Sequence, residues 1–508
     1  MLRIDGRDLR VMFAPVARVG DVLGVGRRTS WAALTAGAAV VTVAIAMAAR
    51  MDLLPVLAAL LTAGVVAAAG FRWPLLPLLA FAAMIPVEEM VVINGVGTFT
   101  RLAGILFALA YAAPRLSRLS LSVIPVGGWA FIAWSALSLG WAASPPVAWS
   151  GLFTLAQLFL VALLVANLVA EQPDVVHPLL WTYGASAAVT AVIAVGLYVE
   201  QGVAQTRAAA IAGQDPAQFA AILLPALAFG LHETISGRHR IPAALIALVA
   251  AMAIVVSGTR GAWLGAGVMF LVLLAHLDLR KRFATLASLA VLALVILLIP
   301  GVATLVAERA GSALSSGGEG RTDIWTVGLL IYSHSPVVGF GYANFPVVYT
   351  LNLVRASGVA SLSAYVQGRG PHNLIVGTLV ELGPLGVVML AVLFAPLLIR
   401  RGWGRDWPAV QGALASLLTV AMFLDVLADR KQVWLVIGLA AGLQAARRRL
   451  SSAGPQPEDG DATGTGVVLA EHADEPGGGK AGDRGRGALG PPPARRSGRP
   501  LRERPSAS

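Results

Sequence analysis

Residues Leu374–Ile399 read LIVGTLVELGPLGVVMLAVLFAPLLI, with Glu381 the only charged side chain in the run. A helix crosses a hydrocarbon core about 30 Å thick with around 20 apolar residues. This run is long enough, and in lipid it must be a helix, because a helix closes its own backbone hydrogen bonds where no water is available. A barrel strand would alternate polar and apolar positions, and these residues do not. The run stops at Arg400-Arg401, a basic pair of the kind that gathers in cytoplasmic loops.

Runs of the same character occupy Trp31–Ala49, Leu53–Gly70, Pro74–Ile85, Leu102–Ala113, Val123–Leu139, Leu152–Leu168, Leu179–Tyr198, Ala217–Leu231, Ala243–Val256, Trp263–Leu277, Leu286–Ile299, Ala409–Leu424 and Val433–Ala445. The expectation is an all-α, polytopic membrane helix bundle with about 12–14 transmembrane helices. Composition agrees: the chain is 57% hydrophobic and only 13% charged, against roughly 25% charged residues in a soluble globular chain. There is no cysteine, which excludes disulfides and thiolate metal sites. The net charge of +11 is a topology signal rather than a nucleic-acid footprint, since no basic face on a soluble domain accompanies it. The basic N-terminus has no immediate apolar core or cleavage site, so no signal peptide is read.

Basic residues orient the chain. With Arg7, Arg10, Arg18, Arg27 and Arg28 inside, alternate loops place Arg72, Arg115, Arg118, Arg238, Arg240, Arg280–Arg282, Arg400, Arg401, Arg405 and Arg447–Arg449 inside as well. Glu88, Glu89, the polar stretch after Tyr198, the turn at Arg260 and a long segment, 301–371, then face outward. The expected divisions are a basic cytoplasmic N-terminus (1–30), N-terminal spans (31–200), a core (201–400) holding the external 301–371 loop with its short helices, C-terminal spans (401–450) and a tail (451–508). The tail is rich in Gly, Pro, Ala and Arg and lacks a hydrophobic period, so it is expected to be a disordered cytoplasmic extension. A contact with membrane lipids through Arg495, Arg496, Arg499, Arg502 and Arg504 is the functional alternative.

Four polar clusters fall on the outward side: Arg207 with Gln214-Asp215-Pro216; Ser257-Gly258-Thr259-Arg260-Gly261; Gly320-Arg321-Thr322-Asp323-Ile324-Trp325 with Ser335-Pro336-Val337-Val338-Gly339-Phe340-Gly341; and Pro371-His372-Asn373 with Glu381-Leu382-Gly383-Pro384. A guanidinium at the lip of a bundle needs anionic partners, and its planar fork matches phosphate oxygens. The plain alternative for each arginine is snorkelling to the interface. That alternative weighs most for Arg207 and least for Arg260 and Arg321, which sit in glycine-bounded turns. His372 opens a helix and can act as a base, though a lone histidine also serves as a cap or packing residue. No second histidine stands at i+3 or i+4, so no metal site is read there. Arg321 begins an amphipathic segment in which Ile324, Trp325 and Leu329 are expected to pack down on the bundle.

The ordered set SGTRGAWLG, GRTDIWTVGLLIYSHSPVVGFGYANF and PHNLIVGTLVELGPLG resembles the O-antigen ligase and polymerase family over roughly residues 200–400. The resemblance implies a metal-independent, inverting glycosyltransferase without cofactors, working on the outer face of the inner membrane. Its donor would be a glycan on undecaprenyl diphosphate and its acceptor a glycan, a lipid or a protein. The resemblance carries over to Arg260 and Arg321 as diphosphate-binding arginines and to His372 as the candidate base; Arg321 is also expected to take part in catalysis, and Arg207, Asn373 and Glu381 to bind substrate. Where the family often has Asp-Pro-Asn, this chain has Asp215-Pro216-Ala217. A polymerase of lipid-linked repeats uses the same donor, and the sequence does not separate it from a ligase. A transporter of lipid-linked sugars is the reading from another class. It would show internal repeats with broken helices in two matching halves, and none is seen.

Overall fold

The fold is described from a computed structural model. It describes residues 73–452 apart from 91, 94–96, 202–208, 212–213, 299–300, 316–320, 353–369, 425–426 and 428–429. The first two expected spans, Arg207, parts of the 301–371 segment and the tail lie outside the described residues.

The described chain is helical except for a two-residue antiparallel pairing of Val92–Ile93 with Gly97–Thr98. In order, the helices are α1 (Leu75–Val87), α2 (Phe99–Ala112), α3 (Val126–Leu137), α4 (Pro145–Glu171), α5 (Val176–Gln201), α6 (Pro216–Ser236), α7 (Arg240–Val256), α8 (Arg260–Ala275) and α9 (Leu279–Leu297). Three helices, α10 (Val302–Ser315), α11 (Arg321–Tyr332) and α12 (Phe345–Asn352), lie within the segment expected to be a long loop. Then come α13 (Leu374–Ile399), α14 (Trp407–Ala421) and α15 (Lys431–Ser452). The segments Pro145–Glu171, Pro173–Glu200, Pro216–Ser236 and Leu374–Ile399 are long and apolar enough to cross a membrane by length and composition; α7, α8 and α14 are shorter apolar helices. Several long apolar helices in an all-α fold are what a polytopic membrane bundle requires.

Helix packing follows membrane rules. Lipid tails are as apolar as leucine, so association relies on close approach at small residues. The sequence Gly438-Leu-Ala-Ala-Gly442 puts two glycines on one face of α15, directly against α4. A Cβ at Gly438 would lie 2.8 Å from the Ala162 carbonyl oxygen, and one at Gly442 would lie 2.6 Å from Val169 Cβ. Outward-facing Leu264, Leu271, Val388 and Val392 are exposed, as lipid-facing side chains are.

The buried face of α11 differs from the expectation. Ile324, Val327 and Ile331 are buried against Phe345, Val348, Tyr349 and Val380, and Trp325 packs at the edge of that cluster. Leu329 is instead 49% exposed. The helical period selects 324, 327 and 331 for one face, with Gly328 close under Val376, and this turns residue 329 outward.

Candidate functional site

The break in α13 organises the region. Gly383 has φ 68° and ψ −170°, so the helix is two pieces meeting there, and Pro384 contributes no backbone N–H. The freed carbonyls need donors, and the loop after α11 brings them. Phe340 N donates to Val380 O at 2.9 Å and Gly341 N to Glu381 O at 2.8 Å, while Trp134 Nε1 of α3 donates to Leu382 O at 2.9 Å. Gly339, with φ 71°, runs so close that a Cβ there would meet the Glu381 carbonyl carbon at 2.4 Å. The same loop is held on its other side by Ala143 N to Phe340 O at 2.9 Å and by Tyr342 N to Ser138 Oγ at 2.9 Å. The clusters Ser335-Pro336-Val337-Val338-Gly339-Phe340-Gly341 and Glu381-Leu382-Gly383-Pro384 are thus one interlocked unit.

Glu381 caps α12: its Oε1 accepts from Phe345 N at 3.0 Å, where a carboxylate also meets the positive end of the helix. Asn373 is the N-cap of α13, accepting from Ile375 N at 2.9 Å and Val376 N at 3.0 Å, and its Nδ2 donates to Met422 O at 3.1 Å. Between Pro371 and this cap, His372 has φ 46°. A non-glycine residue in the left-handed region costs on the order of 1–2 kcal/mol, and such strain concentrates at functional positions. Asp215 caps α6 by accepting from Ala217 N at 2.8 Å. His334 Nδ1 contacts Leu330 O at 2.9 Å, a structural role.

Arg260 opens α8 after a tight turn in which Gly258 has φ 62°. The next residue, Gly261, faces Phe423, whose Cβ would be 3.2 Å from a Cβ at 261. Asn373 is bonded to the neighbouring Met422. The Arg260 turn and the His372 helix start therefore meet on one short turn, Met422–Phe423, at one end of the bundle. Arg321 begins α11, which packs on the first half of α13. Arg260, Arg321, His372, Asn373 and Glu381 are each partly buried.

A cavity of about 350 Å³ opens beside this turn, lined in part by Gln218, Tyr342, Asn373, Glu381 and Arg430. Arg430 also borders a second, polar cavity of about 360 Å³ with Glu88, Glu89, Arg101 and Gln157. It pairs with Glu89 at 3.6 Å, and Lys431 pairs with Glu88. Reading the sequence missed Arg430 and Lys431. The signal was present: two basic residues in a loop that the charge count places outside, opposite the acidic pair Glu88-Glu89, break the positive-inside pattern and call for partners.

At the other end of α14, roughly 24 Å away at 1.5 Å per residue, ligand atoms of His177, Glu233 and Asp406 lie within 4.8 Å of one another. Among the described residues this is the one group with a metal-like donor set, and no short-range spacing announces it. Arg405 already sits among these donors: its Nη2 lies 2.9 Å from Glu233 Oε2 and 2.8 Å from His177 Nε2. His177 Nδ1 and Asp406 Oδ1 are 3.1 Å apart. Glu233 is 1% exposed, and that guanidinium is its cationic partner, beside the Arg238 and His239 backbone N–H groups that donate to its other oxygen. Arg405→Ala is expected to lower stability by about 2–4 kcal/mol, since removing one member strands a buried charge. Thermal unfolding in detergent reads this, with the exposed Arg401→Ala as reference, and equal melting of the two would remove Arg405 from the network.

The O-antigen ligase family model matches residues 245–391 of the chain. The matched stretch holds Arg260, Arg321, His372, Asn373 and Glu381, the interlocked break at Gly383 and the start of α8. No curated protein matches the chain.

Proposed function

We propose that the protein is a membrane glycosyltransferase that moves a glycan from a lipid diphosphate carrier of the undecaprenyl type to an acceptor at the outer membrane face. The observation that carries this reading is the meeting of the Arg260 turn and the His372 helix start on Met422–Phe423, inside a segment that matches the O-antigen ligase family.

In the proposed reaction, His372 takes the proton of the acceptor hydroxyl as its oxygen attacks the anomeric carbon. The new carbon–oxygen bond forms as the bond to the diphosphate breaks, and the electron pair leaves on the phosphate oxygen. Attack from the opposite face inverts the anomeric centre. Arg260 and Arg321 hold the phosphates and stabilise the growing negative charge. Asn373 fixes the helix start that presents His372. Glu381 holds α12 and the cavity wall in place. The reacting centre calls on no metal, and the His177–Glu233–Asp406 group stands at the other end of α14.

The test is guanidinium shape. Lysine keeps the charge and loses the bidentate fork. Arg260→Lys and Arg321→Lys are each expected to lower transfer by about ten-fold or more, from loss of about 1.5–3 kcal/mol of charged hydrogen bonding, while Arg115→Lys leaves it unchanged. Transfer is measured with the purified full chain, a lipid diphosphate-linked glycan and an acceptor glycolipid. Full activity in Arg321→Lys would remove diphosphate clamping from this residue.

A further inference from the structure

A third cavity, of about 810 Å³, lies at the opposite end of the bundle from His372, between α3, α13 and α15. Its walls are apolar: Val126 and Ile399 are 72% and 80% exposed, and Val392 and Trp129 lie between them. At its rim stand Arg400 and Arg448. We infer that this groove is a binding site for an anionic phospholipid of the cytoplasmic leaflet, with the headgroup phosphate held between Arg400 and Arg448 and an acyl chain along Val126, Val392 and Ile399.

The geometry is built by one side chain. Gln444 of α15 donates from Nε2 to Pro396 O at 2.8 Å and to Arg400 O at 2.9 Å, which satisfies the last carbonyls of α13. The partial negative charge of that helix end is thereby covered. Arg448 stands one turn beyond Gln444 on the same face of α15, and this places it next to Arg400. Among the described residues no carboxylate pairs with either arginine. The Arg448 guanidinium is held below its usual range by burial and by the Arg400 charge beside it. Two adjacent cations above an apolar groove fit a ligand with a phosphate at one end and hydrocarbon at the other. A net-anionic headgroup fits better than a zwitterionic one, whose ammonium would add a third cation to the rim.

The full chain, purified in detergent and offered equal amounts of phosphatidylglycerol and phosphatidylcholine, reports bound lipid by native mass spectrometry. The wild type is expected to retain phosphatidylglycerol about ten-fold over phosphatidylcholine, from two cations acting near the surface. R400Q/R448Q should bring the ratio to about one, while R115Q/R118Q, a half-buried and an exposed arginine at the same end, should leave it unchanged. Val392→Trp keeps both arginines and fills the groove, and should lower retention of both lipids. Equal retention by the wild type, a ratio that survives in R400Q/R448Q or falls as far in R115Q/R118Q, or full retention in Val392→Trp each overturns the inference. Loss of bound lipid to excess inorganic phosphate alone would make the site one for a bare anion. A preference that appears only after truncation at Ala453 would give the groove to the tail.

Discussion

His372→Asn is expected to lower transfer by about 10²–10⁴-fold, the usual contribution of a positioned general base, with membrane insertion and melting temperature unchanged. Asparagine is the informative replacement. It tolerates the left-handed backbone that position 372 adopts, φ 46°, whereas alanine would combine loss of the base with strain. Asparagine also keeps a polar side chain and cannot accept a proton near neutral pH. His372→Gly sharpens the result: glycine relieves the backbone strain, so this variant should melt slightly higher than the wild type and still be inactive. A protein that becomes more stable as it loses function is what strain stored at a working residue produces. His372→Asn with activity within about ten-fold of wild type would place the proton elsewhere, since a lost general base costs at least about a hundred-fold.

Gly383→Ala is expected to destabilise the protein by about 2–5 kcal/mol, about 1–3 kcal/mol more than Gly404→Ala does. Both glycines have positive φ, 68° and 78°, so both substitutions carry the left-handed penalty of about 1–2 kcal/mol. They differ in surroundings. A Cβ at 383 would lie 2.1 Å from Val337 O, backbone that cannot rotate away, while a Cβ at 404 meets nothing within 4 Å. The added overpacking cost is about 1–3 kcal/mol. Apparent melting temperatures of the two variants in detergent give the difference directly. If they coincide, the loop from Ser335 to Gly341 is not clamped to the α13 break as its hydrogen bonds indicate. A clamp that loosens should also weaken transfer, because Glu381 and the α12 start it holds form one wall of the cavity beside Asn373.

The runs of apolar residues from Pro74 onward reappear as helices because backbone self-satisfaction leaves a lipid-facing segment no other choice. The caps were equally local. Asp215-Pro216 and Asn373 start helices by side-chain chemistry that reaches two or three residues along the chain. Leu329 shows the limit. A list of apolar residues places it on the packed face, but the contact with Val376 and Phe345 that sets the rotation of α11 comes from residues far along the chain.

Apolar runs of helical length made the chain legible as a bundle of apolar helices, and its basic residues gather in alternate loops between those runs. The sequence also supplied the ordered Arg260, Arg321 and His372 motifs, whose residue types suit a phosphate and a base. These are properties of composition, helical period and short spacing. Which distant groups meet depends on helix packing. The tertiary structure joined the 335–341 loop to the kink at Gly383, seated the Arg260 turn and the His372 cap on Met422–Phe423, paired Arg430 and Lys431 with Glu89 and Glu88, and drew His177, Glu233 and Asp406 around Arg405. Those contacts depend on how helices pack across hundreds of residues, and hydrophobic packing carries no directional code that can be read along a single segment.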